Sequence, residues 1–238
     1  MEAGADSRGR EFLKGVQAEL PLLLGVAPFG MIYGTLALGA GLSAGMAQAM
    51  SSVVFAGSAQ FVITQLVGGG APAFVIIITA FIVNLRHALY SASMAPYLKS
   101  LPWRWKGLLS YLLTDEAYAV VITRYTRPSA GPYPHWFFLG AGLALWTCWQ
   151  ISTAAGIFLG AQLPSNGLLG FALPVTFIAL VVPALKDRAS IAAAVTAGVV
   201  VMLGGALPLK LGLVVAALVG IGSGVLVEWL HKRPSGSR

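Results

Sequence analysis

Long apolar runs, separated by short polar or proline-bearing stretches, dominate the chain. Eight such segments can be read, at roughly 20–42, 46–67, 71–95, 108–123, 136–161, 167–185, 189–207 and 211–230. About 20 helical residues cross the roughly 30 Å hydrocarbon core of a bilayer, and most of the segments reach that length. The short alternating strands of a membrane barrel are not seen. The pattern predicts an all-α integral membrane protein, a polytopic bundle of about seven or eight hydrophobic segments. Residues 1–18 read as a polar cytosolic tail rather than a signal peptide, because no apolar core lies near the start. Residues 19–230 then form the transmembrane domain and 231–238 a basic tail, also cytosolic.

Composition agrees. Hydrophobic residues make up 57% of the chain and charged ones only 10%, against about 25% charged in soluble domains. So few charges could not cover a soluble surface. The net charge is +7. The basic residues lie in tails and connections, where they orient a membrane protein, and not on a face suited to nucleic acid. Cys148 is the sole cysteine, so neither an intrachain disulfide nor a multi-cysteine zinc site is available. Walker A, GxGxxG and HExxH patterns are absent, and Ser91, His87 and Asp115 lack the context of a nucleophile elbow. No enzyme activity, metal or cofactor is expected.

The basic connections do not fit eight simple crossings. Lys99, Arg104 and Lys106 would lie outside if the first three segments all crossed, yet the next connection, with Arg124 and Arg127, is also basic. Both fall inside if one early segment and the fourth are broken or re-entrant. Backbone of that kind persists at membrane depth only when buried in protein or lining a water-filled cavity. Pro28, among Gly25, Gly30 and Gly34, and Pro174 with Pro183 mark further interruptions in the first and sixth segments. A helix restarting at Pro28 would aim the amides near Phe29, Gly30 and Met31 inward. Unwinding around Gly57-Ser58 would free more backbone groups.

Ionisable residues within apolar segments cost about 2.5–3.5 kcal/mol each on insertion scales. Arg86, His87, Asp115 and Glu116 stand out as charge-pairing or proton-coupling candidates. At 100° per residue, Asn84, His87 and Ser91 share a small, polar stripe with Ala80, Ala88 and Ala95. That stripe suits either helix packing or a substrate path. Arg86 falls well away from it, free to pair with Asp115 or Glu116. In the second segment Ser51 and Ser58 share one face, and Gly57 and Gln60 the other. Thr114 can cap a helix carrying both acids in its first turn. These readings predict a mid-membrane cavity lined by Pro28, Phe29, Gly30, Gly57, Ser58, Gln60, Asn84, His87 and Ser91.

Pro21 to Gly34 (PLLLGVAPFGMIYG), Phe55 to Phe61 (FAGSAQF), Asn84 to Ser91 (NLRHALYS) and Leu113 to Glu116 (LTDE) together resemble the AzlC family, the large subunits of bacterial branched-chain amino acid exporters. Phe171 to Leu180 (FALPVTFIAL) extends the likeness more weakly. The resemblance implies a secondary transporter of the bacterial inner membrane that exports leucine, isoleucine and valine, with methionine at the margin. It also implies a small AzlD-type membrane partner subunit. For such a zwitterion, Arg86 or free amides would meet the carboxylate, and Asp115, Glu116 or Asn84 the ammonium. Phe29, Phe55 and Phe61 are candidates for the apolar pocket. The rival expectation is a membrane scaffold or regulatory subunit without transport of its own.

Overall fold

A computed structural model describes residues 2–126, 133–161, 185, 187–203 and 211–232. Every element among them is an α-helix. They are α1 (Glu2–Gly39), α2 (Ala44–Val54), α3 (Gly57–Gly68), α4 (Ala73–Leu98), α5 (Trp103–Tyr111), α6 (Asp115–Tyr125), α7 (Pro134–Gly160), α8 (Arg188–Leu203) and α9 (Leu211–Lys232). Among the described residues, three stretches are long and apolar enough to span a bilayer: Ser7–Gly39, Ala73–Leu98 and Pro134–Gly160. The helical membrane class expected from the hydropathy pattern is therefore what the chain adopts. The chain forms two compact units, one of Met1–Gly68 with Ala80–Ser165, the other of Gly69–Thr79 with Asn166–Arg238.

The first unit is built on α1 and α7, which run parallel. Gly15 lies against Phe137 and Ala141, Gly30 against Trp149 and Ser152, and Gly34 against Thr153 and Ile157. A Cβ added at Gly34 would strike the Thr153 carbonyl, and one at Gly156 the Met31 carbonyl. Two backbones can come this close only where one of the two residues in contact carries no side chain. The Thr35 hydroxyl adds a bond to the Gly156 carbonyl at 2.9 Å.

Two helical hairpins enter this frame from opposite ends. Tyr33 hydroxyl donates to Ala47 O at 2.8 Å, and Gln48 and Ser52 donate to Gln150 Oε1 at 2.8 and 2.9 Å. So α2 descends alongside α7 from the Gly39 end. After Phe55-Ala56, α3 climbs back: Gly57 sits under the Trp149 ring and Gly68 returns to Ala40. The second hairpin mirrors this from the other end. Trp105 packs on His135 and Trp136, and Trp146 Nε1 donates to the Tyr111 hydroxyl at 2.8 Å, placing α5 along the first half of α7. After Leu112–Thr114, α6 returns until Arg124 stacks on Phe137 and reaches Glu11 Oε2 at 3.4 Å. From Ala80 on, α4 runs beside α6, with Ser93 bonded to Tyr118 at 2.9 Å and Tyr97 packed on Tyr125. A span followed by a re-entrant hairpin thus occurs twice, in opposite orientation.

This topology removes the charge paradox. Arg8, Lys14, Lys99, Lys106 and Arg124 gather at the end where α1 and α7 begin. Among the described residues of the first unit, the opposite end carries no charged side chain: none occurs between Glu19 and Arg86. The second and fourth segments are the irregular ones; the basic connections called for the fourth and one early segment.

The expectation at Pro28 is corrected. α1 is unbroken from Glu2 to Gly39, with Pro21 and Pro28 inside it. The glycine contacts with α7 hold both sides of Pro28 in one line, so no helix restarts there. α1 also shows no break between the polar residues 1–18 and the span. Pro174, Pro183 and the Phe171–Leu180 motif lie outside the described residues.

In the second unit α8 and α9 pack antiparallel. Gly220 faces Ala193 and Ala197, Gly224 faces Ala189 and Ala193, and Ser223 Oγ donates to Ala192 O at 3.4 Å. Asp187 Oδ1 accepts the Ser190 N–H at 2.7 Å at the start of α8, which holds its carboxyl below the usual range.

Candidate functional site

The two hairpin tips meet near the middle of α4 and α7. Phe55 ends α2 in the left-handed region (φ 38°), which a bulky residue adopts only under constraint. The constraint is visible: its ring packs against Tyr111 at 5.9 Å, and the Tyr111 hydroxyl bonds Ser52 O. The other tip is capped by Thr114, whose hydroxyl accepts the Ala117 N–H at 3.4 Å. Both tips therefore present a helix N-terminus, α3 at Gly57 and α6 at Asp115. First-turn amides at such ends have no carbonyl in their own helix to bond, and they carry the positive end of the helix dipole.

Arg86 of α4 joins the tips. Its Nη1 lies 2.5 Å from Asp115 Oδ2, and its Nη2 donates to Ser58 Oγ at 2.5 Å. Tyr90 donates to the other carboxylate oxygen at 2.7 Å and stacks on Tyr118 at 4.5 Å. Arg86 therefore pairs with Asp115, and Glu116 makes no ion pair among the described residues. The adjacent cavity of about 60 Å³ is lined by Phe55, Ala56, Gly57 and Ser58 of one tip, Thr114, Asp115 and Glu116 of the other, and Arg86 and His87. Val26, Leu145 and Trp149 close its apolar side. Here a guanidinium and two helix N-termini face two carboxyl groups, a surface that can meet both ends of a zwitterion.

The sequence-predicted lining divides. Gly57, Ser58 and His87 line the cavity. His87 Nδ1 lies 3.2 Å from Asn84 O, a bond only a protonated Nδ1 can make. Arg86 and His87 do reach one cavity, against the expectation from helix geometry, because the long arginine side chain extends to Ser58. Gln60 lies behind the lining, fully buried, accepting the Trp149 Nε1–H at 3.1 Å. Asn84 is also outside the lining, with a buried Oδ1 that lacks a hydrogen-bond partner among the described residues. Ser91 lines a different cavity of about 320 Å³ nearer the basic end, with Met94, Lys99, Lys106 and Phe138. Pro28, Phe29 and Gly30 do not line the site. With α1 continuous, its inward row is Glu19, Val26 and Tyr33, one residue every two turns. Pro28 faces outward and Gly30 packs on Ser152.

Sequence reasoning missed Glu19. Its side chain is fully buried, and neither oxygen has a hydrogen-bond partner among the described residues. It sits at the edge between tail and span, where an acid looks like the last residue of a solvated segment. The seven-residue spacing to Val26 and Tyr33 was the available signal. Gln48 and Gln150, which tie the first hairpin to α7, were missed as well.

Comparison with known proteins bears on the same segments. The AzlC protein family matches residues 21–163, which hold the rest of α1, both hairpins, α4 and α7. The chain belongs to the AzlC family. This AzlC-family chain is 28% identical over 226 residues to the inner membrane protein YgaZ of Escherichia coli, covering 92% of this chain and 90% of that protein. It is 30% identical over 219 residues to an uncharacterized membrane protein of Archaeoglobus fulgidus, covering 90% and 94%. No solved structure matches significantly.

Proposed function

We propose that this AzlC-family membrane protein is a gradient-driven secondary transporter that exports branched-chain amino acids, working with a small AzlD-type subunit. The observation that carries the reading is the meeting of two oppositely directed re-entrant hairpins at one charged cavity. Broken helices with their N-termini at mid-membrane suit binding of a charged substrate between inverted repeats. A membrane protein that only scaffolds has no use for such a junction. Arg86 and the α3 tip amides would receive the substrate carboxylate, Asp115 or Glu116 its ammonium, and Phe55, Val26, Leu145 and Trp149 its aliphatic side chain.

The cavity of about 60 Å³ is far below the roughly 300–1,000 Å³ of ligand sites. Binding an amino acid would require the tips to part. Each tip faces the closed side of the other hairpin, so parting one at a time would open the cavity to one side of the membrane. The basic end of the first unit is the cytoplasmic one on the positive-inside rule, which puts the N-terminal tail in the cytoplasm and gives export from the α5–α6 side to the α2–α3 side. The same rule, applied to Lys232 and Arg233 in the sequence, puts the C-terminal tail there too. The test is efflux of labelled leucine from liposomes containing purified chain, with and without an AzlD-type protein. Efflux above empty liposomes in the combined sample is expected. None with leucine, isoleucine or valine would overturn the reading.

A further inference from the structure

Of the acids whose side chains are described in the first unit, two have bonded cationic partners. Glu11 is bonded to Lys14 at 2.6 Å and reaches Arg124 at 3.4 Å, and Asp115 holds Arg86 and Tyr90. Glu19 and Glu116 have none, and Glu19 stands further apart: no surface exposed, and no hydrogen bond to either oxygen among the described residues. The carboxyl on the adjoining helix is Glu116: α1 and α6 are joined by Glu11 and Arg124 at one end and meet at Val26 and Glu116 of the cavity at the other, and Glu19 lies on the stretch of α1 between. Glu116 also feels Arg86 across the cavity and Asp115 beside it, but Arg86 is already committed to Asp115. The remaining elements packed on α1 bring little charge near the pair. α2 and α3 have no titratable residue, and α7 has only His135, stacked on Trp105 in its first turn, and Cys148, whose thiol points at Leu23 O. Tyr125 of α6 is buried without a hydroxyl partner among the described residues.

An uncompensated carboxylate in such a place is costly, and a second carboxyl nearby makes it more so; a proton held on Glu19 removes both penalties. A metal cation is a poorer fit. It needs a cage of several oxygens, whereas among the described residues nothing lies within hydrogen-bond reach of Glu19, and no group of three or more metal-ligating side chains occurs. We propose that Glu19 and Glu116 together hold one transferable proton, and so form the proton-coupling site of this chain. Its role in coupling rests on the transporter reading above. The step is a proton transfer alone: a carboxylate oxygen of the pair takes H⁺ from water on one side, and the acid returns it to water on the other. Glu116 is the link, since it lines the cavity and belongs to α6, the helix that adjoins α1. A substrate ammonium arriving beside Glu116 stabilises its carboxylate and favours loss of the proton. Substrate and proton would then exclude one another, the requirement for exchange of one for the other.

Infrared difference spectra of the purified full chain, between neutral and strongly alkaline pH, read a protonated carboxyl directly. Wild type is expected to show a carboxylic-acid carbonyl band at neutral pH that is lost in Glu19→Gln and shifted in Glu116→Gln. No such band in wild type, or a band unchanged in both variants, overturns the proposal. If Glu19→Gln fails to accumulate, Glu116→Gln decides alone, an unaltered band counting against. A neutral-pH spectrum that responds to sodium but not to pH also overturns it, in favour of a metal site. In liposomes with a pH-sensitive dye, leucine movement by wild type should carry protons the opposite way, and Glu19→Gln should lose at least tenfold of that proton movement. Undiminished coupling in Glu19→Gln sinks the site. Failure of wild type to move leucine sinks the transporter reading instead and leaves the infrared result to decide the pair.

Discussion

Arg86 shows how much one side chain joins. Its two terminal nitrogens hold Ser58 of the first hairpin and Asp115 of the second. Arg86→Ala strands Asp115 with Tyr90 as its remaining partner. The pair is about one-third exposed (30% and 38%), so the cost falls below that of a fully buried pair. About 1–3 kcal/mol is expected, read as a lowered unfolding temperature in detergent together with loss of leucine efflux. Arg86→Lys keeps the charge but cannot bridge two partners as a fork, and should restore stability more than efflux. Wild-type stability and efflux in Arg86→Ala would refute the bridging role. The charged members of this group were legible in the sequence because charge inside an apolar run is conspicuous. The Thr114 cap was legible from its position before two acids. The choice of Asp115 over Glu116 was not, because it depends on which way two adjacent side chains leave α6.

At the level of elements, the α1–α7 contact and the hairpin tips are the parts most sensitive to volume. Gly34→Leu should separate α1 from α7, since even a Cβ there meets the Thr153 backbone. A marked fall in folded yield is expected. At Gly25 an added Cβ would meet nothing within 4 Å, so Gly25→Ala should be neutral or stabilising by about 0.5–1 kcal/mol through helix propensity. Equal behaviour of the two variants in a thermal unfolding series would show that the close contact is absent. Pro28 was misread for a related reason. A proline surrounded by glycines looks like a break when the helix is considered alone. Neighbouring helices can hold a proline-bearing helix straight, and the glycines here serve the contact with α7. The break at Phe55-Ala56 lay two residues before the sequence's favoured Gly57-Ser58, because packing of Phe55 on Tyr111 decides where the turn falls.

For the whole molecule, the hairpin topology makes a sharp accessibility prediction. In a Cys148→Ala background, cysteines placed at Ser43 and Gly68 should be labelled from the same side of the membrane, and one at Lys106 from the other. Eight simple crossings instead put Ser43 and Lys106 together, opposite Gly68. A membrane-impermeant thiol reagent on intact cells distinguishes the two outcomes. A second prediction concerns the partner: valine export in cells should require a co-expressed AzlD-type protein. Full export by this chain alone, in a host without one, would refute the two-subunit arrangement.

Hydropathy and charge alone determined that this chain is a helical membrane protein with two irregular segments, because the cost of placing polar groups in hydrocarbon is set residue by residue and is visible in one dimension. The basic connections pointed to the fourth segment and to one early segment, without saying which. Only the tertiary structure decided that those segments are hairpins entering from opposite ends, that their tips meet at Arg86, and that Glu19 is buried. Those are relations between helices far apart in sequence. They depend on the side on which each helix packs, and that is settled by close backbone contacts such as Gly34 on Thr153, whose partners nothing in a single sequence identifies.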